Sequence, residues 1–172
     1  MKANPLEVVL DTVSLLHILR APKVKGSKRA QVSRLETVLD GPMKKSKLIL
    51  RLDTPAGLLS EWKQTCGTDA VEVVFTRWTE LKAIRLVEVL PKLNPSVAKR
   101  LRLLGFRDTT DKIVLRLSLD ATDHVVISDD NDFWNPADPA DRGKKNAPVA
   151  RLCREELGVR ITLLKPIISE IQ

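Results

Sequence analysis

The chain has 172 residues and a formal net charge of +7. That length suits one well-buried α/β domain spanning residues 1–172; with no Tyr, three Phe and three Trp, aromatic stacking of many bases is excluded as the main binding mode. No apolar run is long enough to span a bilayer and no signal-peptide pattern stands at the start, so a cytoplasmic location with no membrane partner is expected.

Taken along the chain, the first predicted element is a strand over 6–11, Leu6-Glu-Val-Val-Leu-Asp11, which ends in an aspartate. A helix over 12–20 follows, with Val13, Leu15, Leu16, Ile18 and Leu19 as its buried face. A basic loop containing Pro22 and Gly26 leads to a helix over 28–40, ended by Gly41-Pro42. Strand 47–52 precedes a helix over 55–65, with Thr54 as its cap and Pro55 in its first turn. Helix 69–82 and strand 84–89 come next, then a helix after Asn94-Pro95. Helix 109–120 has Asp108 as N-cap and Asp111 at its third position, where a carboxylate suits the helix dipole. Strand 124–128, an irregular Pro/Asp-rich loop from Asn135 to Pro148, helix 149–156 and a last strand near 159–163 complete the reading. Strands alternating with helices predict an α/β fold, a three-layer α/β/α sandwich with a central, mostly parallel sheet.

Chemistry concentrates in His124-Val-Val-Ile-Ser-Asp-Asp-Asn-Asp-Phe-Trp134. An apolar run leads straight into Asp129, Asp130 and Asp132, and in open parallel sheets ligands bind at the carboxyl ends of strands. Like charges packed there cost free energy unless a cation neutralises them, and carboxylate oxygens suit Mg²⁺ or Mn²⁺. The bland alternative is a solvated Asp-rich turn. Asp11 repeats the strand-end pattern, although one such aspartate commonly caps the following helix. Glu61 lies about two turns into its helix, among Leu58, Leu59 and Trp62, a position equally natural for a solvated glutamate. The loop 135–148 follows the carboxylates directly and should border the site as a flap. Cys66 and Cys153 are isolated and read as reduced, structural thiols. His17 and His124 have no second histidine at metal spacing, which argues against zinc.

Positive charge is clustered. Lys23, Lys25, Lys28 and Arg29 fall, with Arg20, in a segment without acidic residues; Lys44, Lys45 and Lys47 form a second group; Lys99, Arg100, Arg102 and Arg107 form a third. A basic surface around an acidic pocket suits a phosphodiester substrate, with cations on the backbone and carboxylates on metal. Each cluster alone reads equally well as a solvated helix face.

In their order, these segments resemble the PIN-domain family of metal-dependent nucleases. The family pattern is a strand ending in Asp-Thr, a helical Glu in mid-chain, a helical Asp, and a strand ending in Thr/Ser-x-Asp-x-Asp-Phe. Here these are Asp11-Thr12, Glu61, Asp111 and Ser128-Asp129-Asp130-Asn131-Asp132-Phe133, across roughly residues 6 to 162. One departure is Val13, where the family often has Asn or Ser; Ser14 stands one position later. The resemblance implies a PIN-like endoribonuclease. Asp11, Glu61, Asp111 and Asp130 would surround Mg²⁺ or Mn²⁺, with Asp132 auxiliary and Asp129 capping a turn or facing solvent. Lys23, Lys25, Lys28, Arg29, Lys99 and Arg100 would hold RNA, with DNA left open. It also leaves room for a toxin-like role with an antitoxin or other protein partner, for a homodimer, and for a catalytically inactive PIN-like module that binds RNA or protein. A receiver-type phosphoacceptor domain is a further alternative, but Asp11 is single and Leu52-Asp53 is the only middle-strand candidate. A haloacid-dehalogenase-like phosphatase would need an aspartate at position 13, and a calcium loop on Asp130-x-Asp132 fails at Trp134 and Asn135.

Overall fold

The computed structural model describes residues 4–20, 37–54 and 57–171. Five strands, β1 (Leu6–Leu10), β2 (Leu48–Asp53), β3 (Ile84–Val87), β4 (Val125–Ile127) and β5 (Arg160–Thr162), form one all-parallel sheet in the order β3-β2-β1-β4-β5. Val8, Val9 and Leu10 on β1 and Val125 to Ile127 on β4 are all buried, as strands covered on both faces require. Eight helices among the described residues cover the sheet: α1 (Thr12–Arg20), α2 (Asp40–Lys44), α3 (Gly57–Cys66), α4 (Thr68–Glu80), α5 (Pro95–Leu103), α6 (Thr109–Asp120), α7 (Pro148–Leu157) and α8 (Leu164–Ile171). The three-layer α/β/α architecture predicted from the alternation of elements is the one observed, and its sheet is wholly parallel.

Three local expectations are corrected. Gly41-Pro42 does not end a helix but lies inside α2, where Pro42 falls in the first turn and loses no intrahelical hydrogen bond. Asp53, not Thr54, caps α3: its carboxylate accepts from the Gly57 amide at 2.7 Å and the Leu58 amide at 3.1 Å. A Cβ on Gly57 would stand 2.9 Å from that carboxylate and from the Ile113 side chain, so any larger residue there would have to displace both. Finally, α8 extends the chain beyond β5. Its apolar residues Leu164, Ile167, Ile168 and Ile171 have helical spacing, and Pro166 sits in its first turn. The segment 135–147 is not structureless either. It holds a single 3-10 turn over Pro139–Asp141, and Asn135 donates to Asp141 at 2.8 Å.

One helix sets the geometry of the site. α6 packs across β1, β2 and β4. Its C-terminal end is fixed at the N-terminal edge of the sheet by Arg51 of β2, whose guanidinium donates to Glu7 of β1 at 2.7 Å and to Asp120 of α6 at 2.9 Å. Burial pushes the Glu7 carboxyl up, but the Thr122 amide, Arg51 and Arg85 outweigh it and hold the group below its ordinary value. Glu7 and Asp11 share a face of β1, about 13 Å apart at the strand rise. α6 is about 18 Å long. Anchored at Asp120, it therefore carries Asp111 back over the C-terminal edge.

Arg51→Met should cost about 3 kcal/mol, because the buried Glu7 loses its main cation and keeps only the half-exposed Arg85, while the exposed Asp120 loses little. Urea unfolding measures it, and the double change with Glu7→Leu should recover part of the loss. A loss below about 1 kcal/mol would show that the network does not anchor α6.

Candidate metal centre

In the chain order, β1 is followed by β2 on one side and pairs with the late strand β4 on the other. The crevice between β1 and β4 is thus the point where the strand order reverses, which is where open α/β sheets bind ligands. Val8 pairs with Val125, Val9 with Val126 and Leu10 with Ile127, so the two strands end level. Asp11 and Ser128 are the next residues on each. The Asp11 amide donates to the Ile127 carbonyl at 3.0 Å, and the buried Ser128 hydroxyl donates to the Asp11 carboxylate at 3.0 Å.

From Ser128 the chain turns. The Asp130 amide donates to Ser128 Oγ at 3.1 Å and the Asp132 amide to Asp130 Oδ1 at 3.0 Å, starting a 3-10 turn over Asn131–Phe133. An extended strand placing Asp130 and Asp132 on one face is therefore not what forms; the turn brings them together instead. Phe133 anchors this turn in the core, edge-on to Phe106 with ring centroids 5.2 Å apart. Phe106 lies just before the N-cap of α6, Asp108, which accepts from the Thr110 amide at 2.7 Å and the Asp111 amide at 3.4 Å, as predicted. The two phenyl rings thereby tie the start of α6 to the Asp130 turn.

These constraints gather the aspartates. The Asp111 carboxyl is raised to about 8, by burial first and then by the charges of Asp11, Asp108, Asp130 and Asp132. Asp11 is raised to about 7, chiefly by burial and also by the charge of Asp130, against the lowering effect of the Ser128 hydroxyl and the Thr12 and Val13 amides. Asp132 is raised by burial, Asp130 and Asp108. Among the described residues, no Lys, Arg or His is a leading cause of the shift in any of these three carboxyls.

Asp129 faces the other way. Its carboxylate accepts from Ser14 Oγ at 3.0 Å and the Leu164 amide at 3.4 Å, and lies 3.3 Å from His17 Nδ1, so it ties α1 to the start of α8. Ser14 also accepts the Asp129 amide at 2.8 Å. The hydrogen bond that Val13 cannot give near Asp11 is supplied instead by Ser128. Glu61 borders the site from α3: it and Asp11 both act on the Cys66 thiol, which burial raises above its ordinary value. Glu61 is not among the charges raising Asp11 or Asp111. Cys66 and Cys153 are both free thiols. Lys99 and Arg100 are exposed on α5, with Arg100 paired to Glu156 of α7 at 2.6 Å. Lys23, Lys25, Lys28 and Arg29 lie outside the described residues.

The donor set, a group of aspartate oxygens, has the chemistry that suits a hard divalent cation. The spacing is open: among the described residues, no three His, Cys, Asp or Glu side chains are close enough to hold one ion together. No protein-family model matches the chain, and neither a curated protein nor a solved structure matches it.

Linkage gives this cluster a pH signature. Asp11 and Asp111 hold their protons in the folded chain to about pH 7 and 8, against an ordinary value of 3.8. Their contribution to stability is complete below pH 3.8 and is lost as pH rises through 7 to 8. Metal-free Asp111→Asn should therefore melt about 4–8 °C above the parent at pH 8, a gain of about 2 kcal/mol, and close to it at pH 4. Thermal melts across that range test this; a variant less stable at pH 8 would make Asp111 a structural group.

Proposed function

We propose that the protein is a PIN-like, Mg²⁺- or Mn²⁺-dependent nuclease acting on RNA. The observation that carries this reading is the shared acidic space formed by Asp11, next after β1, Asp111 of α6 and Asp130 and Asp132 of the turn after β4, whose carboxyls are raised by burial and by one another. Carboxylates that repel one another in the folded state are retained at a strand-reversal crevice most simply if a cation joins them. Asp11, Asp111 and Asp130, with Asp132 assisting, would have to draw closer than they stand to hold the ion, and Glu61 would approach from α3. A bound divalent ion lowers the pKa of its water and stabilises charge on the phosphate oxygens.

The chain's own groups prepare that arrangement. Ser128 orients Asp11, Asp130 and Asp132 are fixed relative to each other by the 3-10 turn, and the buried setting excludes bulk water from Asp11 and Asp111. The +7 net charge favours a polyanionic substrate. RNA rather than DNA, and a toxin-like role with an antitoxin partner, rest on the resemblance alone. The open spacing of the carboxylates favours a second reading, a PIN-like module that binds RNA or protein without cutting it.

Incubation with single-stranded RNA and DNA in Mn²⁺, Mg²⁺ or EDTA separates the two. Cleavage of RNA only with metal is expected. Asp130→Asn should lose activity on the order of a hundredfold or more and Asp132→Asn about tenfold. Asp129→Asn should keep most activity and lose stability, about 1–2 kcal/mol, since it ties α1 to α8. Absence of cleavage with either ion would leave the binding module.

A further inference from the structure

A second site adjoins the carboxylates. Beyond the edge strand β5 lies a cavity of about 370 Å³, within the range of small-ligand sites. Trp134, Ile161 and Leu163 give it apolar lining, and Lys145, Arg154 and Arg160 supply cations; no Asp or Glu is among its described lining residues. The cations are arranged by the fold. Arg154 donates to the Lys145 carbonyl at 2.7 Å, which holds the guanidinium along the loop that carries Lys145. Arg160 is held by both oxygens of Glu170, at 2.9 and 3.1 Å, and is partly neutralised by it. Lys145 is exposed and has no ion pair among the described residues.

Two contacts join this cavity to the acidic site. The Trp134 indole donates to the Ser128 carbonyl at 3.0 Å, and the hydroxyl of that same Ser128 holds Asp11. Gly143 also lines the cavity; it has a φ of +82°, and a Cβ there would come within 2.8 Å of Leu163, so the loop lies directly against the end of β5. Its neighbour Arg142 donates to the Asp129 carbonyl at 3.4 Å, which puts an exposed cation one residue from Asp130. The sequence marked Lys144 and Lys145 as a basic pair in a late loop, but not Arg142, Arg154 and Arg160 beside them, because these are scattered along the chain and converge only in the fold.

We propose that this cavity is a nucleotide subsite: it takes the base of a residue flanking the scissile phosphate against its apolar lining, with the adjoining phosphates on Lys145, Arg154 and Arg142. The proposal rests on the nuclease reading for the meaning of "flanking", but its test does not require cleavage. A nucleic acid is favoured over an acidic peptide because the cations continue from the cavity to the edge of the carboxylates, the path that a strand crossing both would follow.

The test is anisotropy of 5′-fluorescein-labelled octauridylate in EDTA at several salt concentrations. Lys145→Glu should weaken binding at least fivefold and reduce the salt slope by about one or more, because fewer counterions are released. Arg142→Gln should act in the same direction. Uridine 5′-monophosphate should shift the backbone amide resonances of Lys145, Arg154 and Ile161 in the unmodified protein, which avoids any question of variant folding. Unchanged affinity and slope in Lys145→Glu, or no binding of the octamer by the unmodified chain, would overturn the subsite. So would an octaglutamate peptide that shifts the same amides at concentrations where the nucleotide does not. RNA cleavage with Mn²⁺ alongside an unaffected Lys145→Glu would remove the subsite alone; Lys145-dependent binding without cleavage under any metal would support the subsite and remove the nuclease reading.

Discussion

The level pairing of β1 with β4 is the constraint on which the site depends. With Leu10 opposite Ile127, the chain leaves both strands at the same height, and Asp11 meets the Ser128 hydroxyl at 3.0 Å. A slip of one residue would turn every side chain of one strand to the opposite face. Asp11 would then lose Ser128, and Leu6, Val8 and Leu10 would exchange faces with Glu7, Val9 and Asp11. The same core that buries Val8 to Leu10 and Val125 to Ile127 therefore also sets the acidic crevice.

Two carboxylates on one face of β1 show how the protein separates structure from chemistry. Glu7, at the N-terminal edge, is buried but satisfied by Arg51, Arg85 and the Thr122 amide, and its proton affinity is lowered. Asp11, four residues on, is also buried, yet it faces Asp130 and Asp111 and its proton affinity is raised. Burial is common to both; among the described residues, the difference is that Arg51 and Arg85 act at one end of the strand and other carboxylates at the other. Buried groups with strongly raised proton affinity at a ligand-binding crevice are functional-site candidates on physical grounds. α6 connects the two ends, since its C-terminus is held in the neutralised network and its N-terminus delivers Asp111.

The Asp-rich segment after β4 divides its labour in a similar way. Asp129 holds α1 and the start of α8, Asp130 caps the 3-10 turn with one oxygen, and Asp132 joins the acidic space. Phe133 and Trp134 complete the turn from the core side, one against Phe106 and the other on the Ser128 carbonyl. A short run of polar sequence is thus held by two buried aromatic rings, which is why three aspartates in four positions can point in different directions without the loop becoming loose.

The sequence by itself determined the layered architecture and most of its elements. Apolar runs and period-3.6 patterns are properties of the local chain, so α1 and α6 are legible to their ends, and Asp108 is legible as a cap. Strand ends and helix starts located Asp11, Asp111, Asp130 and Asp132, and the resemblance to the PIN family grouped them, with Glu61, as one expected site. The tertiary structure alone decided what each carboxylate faces. Ser128 serves Asp11 across 117 residues, Asp129 turns to Ser14 across 115, and Arg51 anchors Asp120 across 69. Likewise, Asp53 rather than Thr54 caps α3, and the cations beyond β5 form a group. Hydrogen bonds and electrostatic fields depend on distances of a few ångströms between side chains, and for residues far apart in the chain only the packing of the sheet and its helices sets those distances.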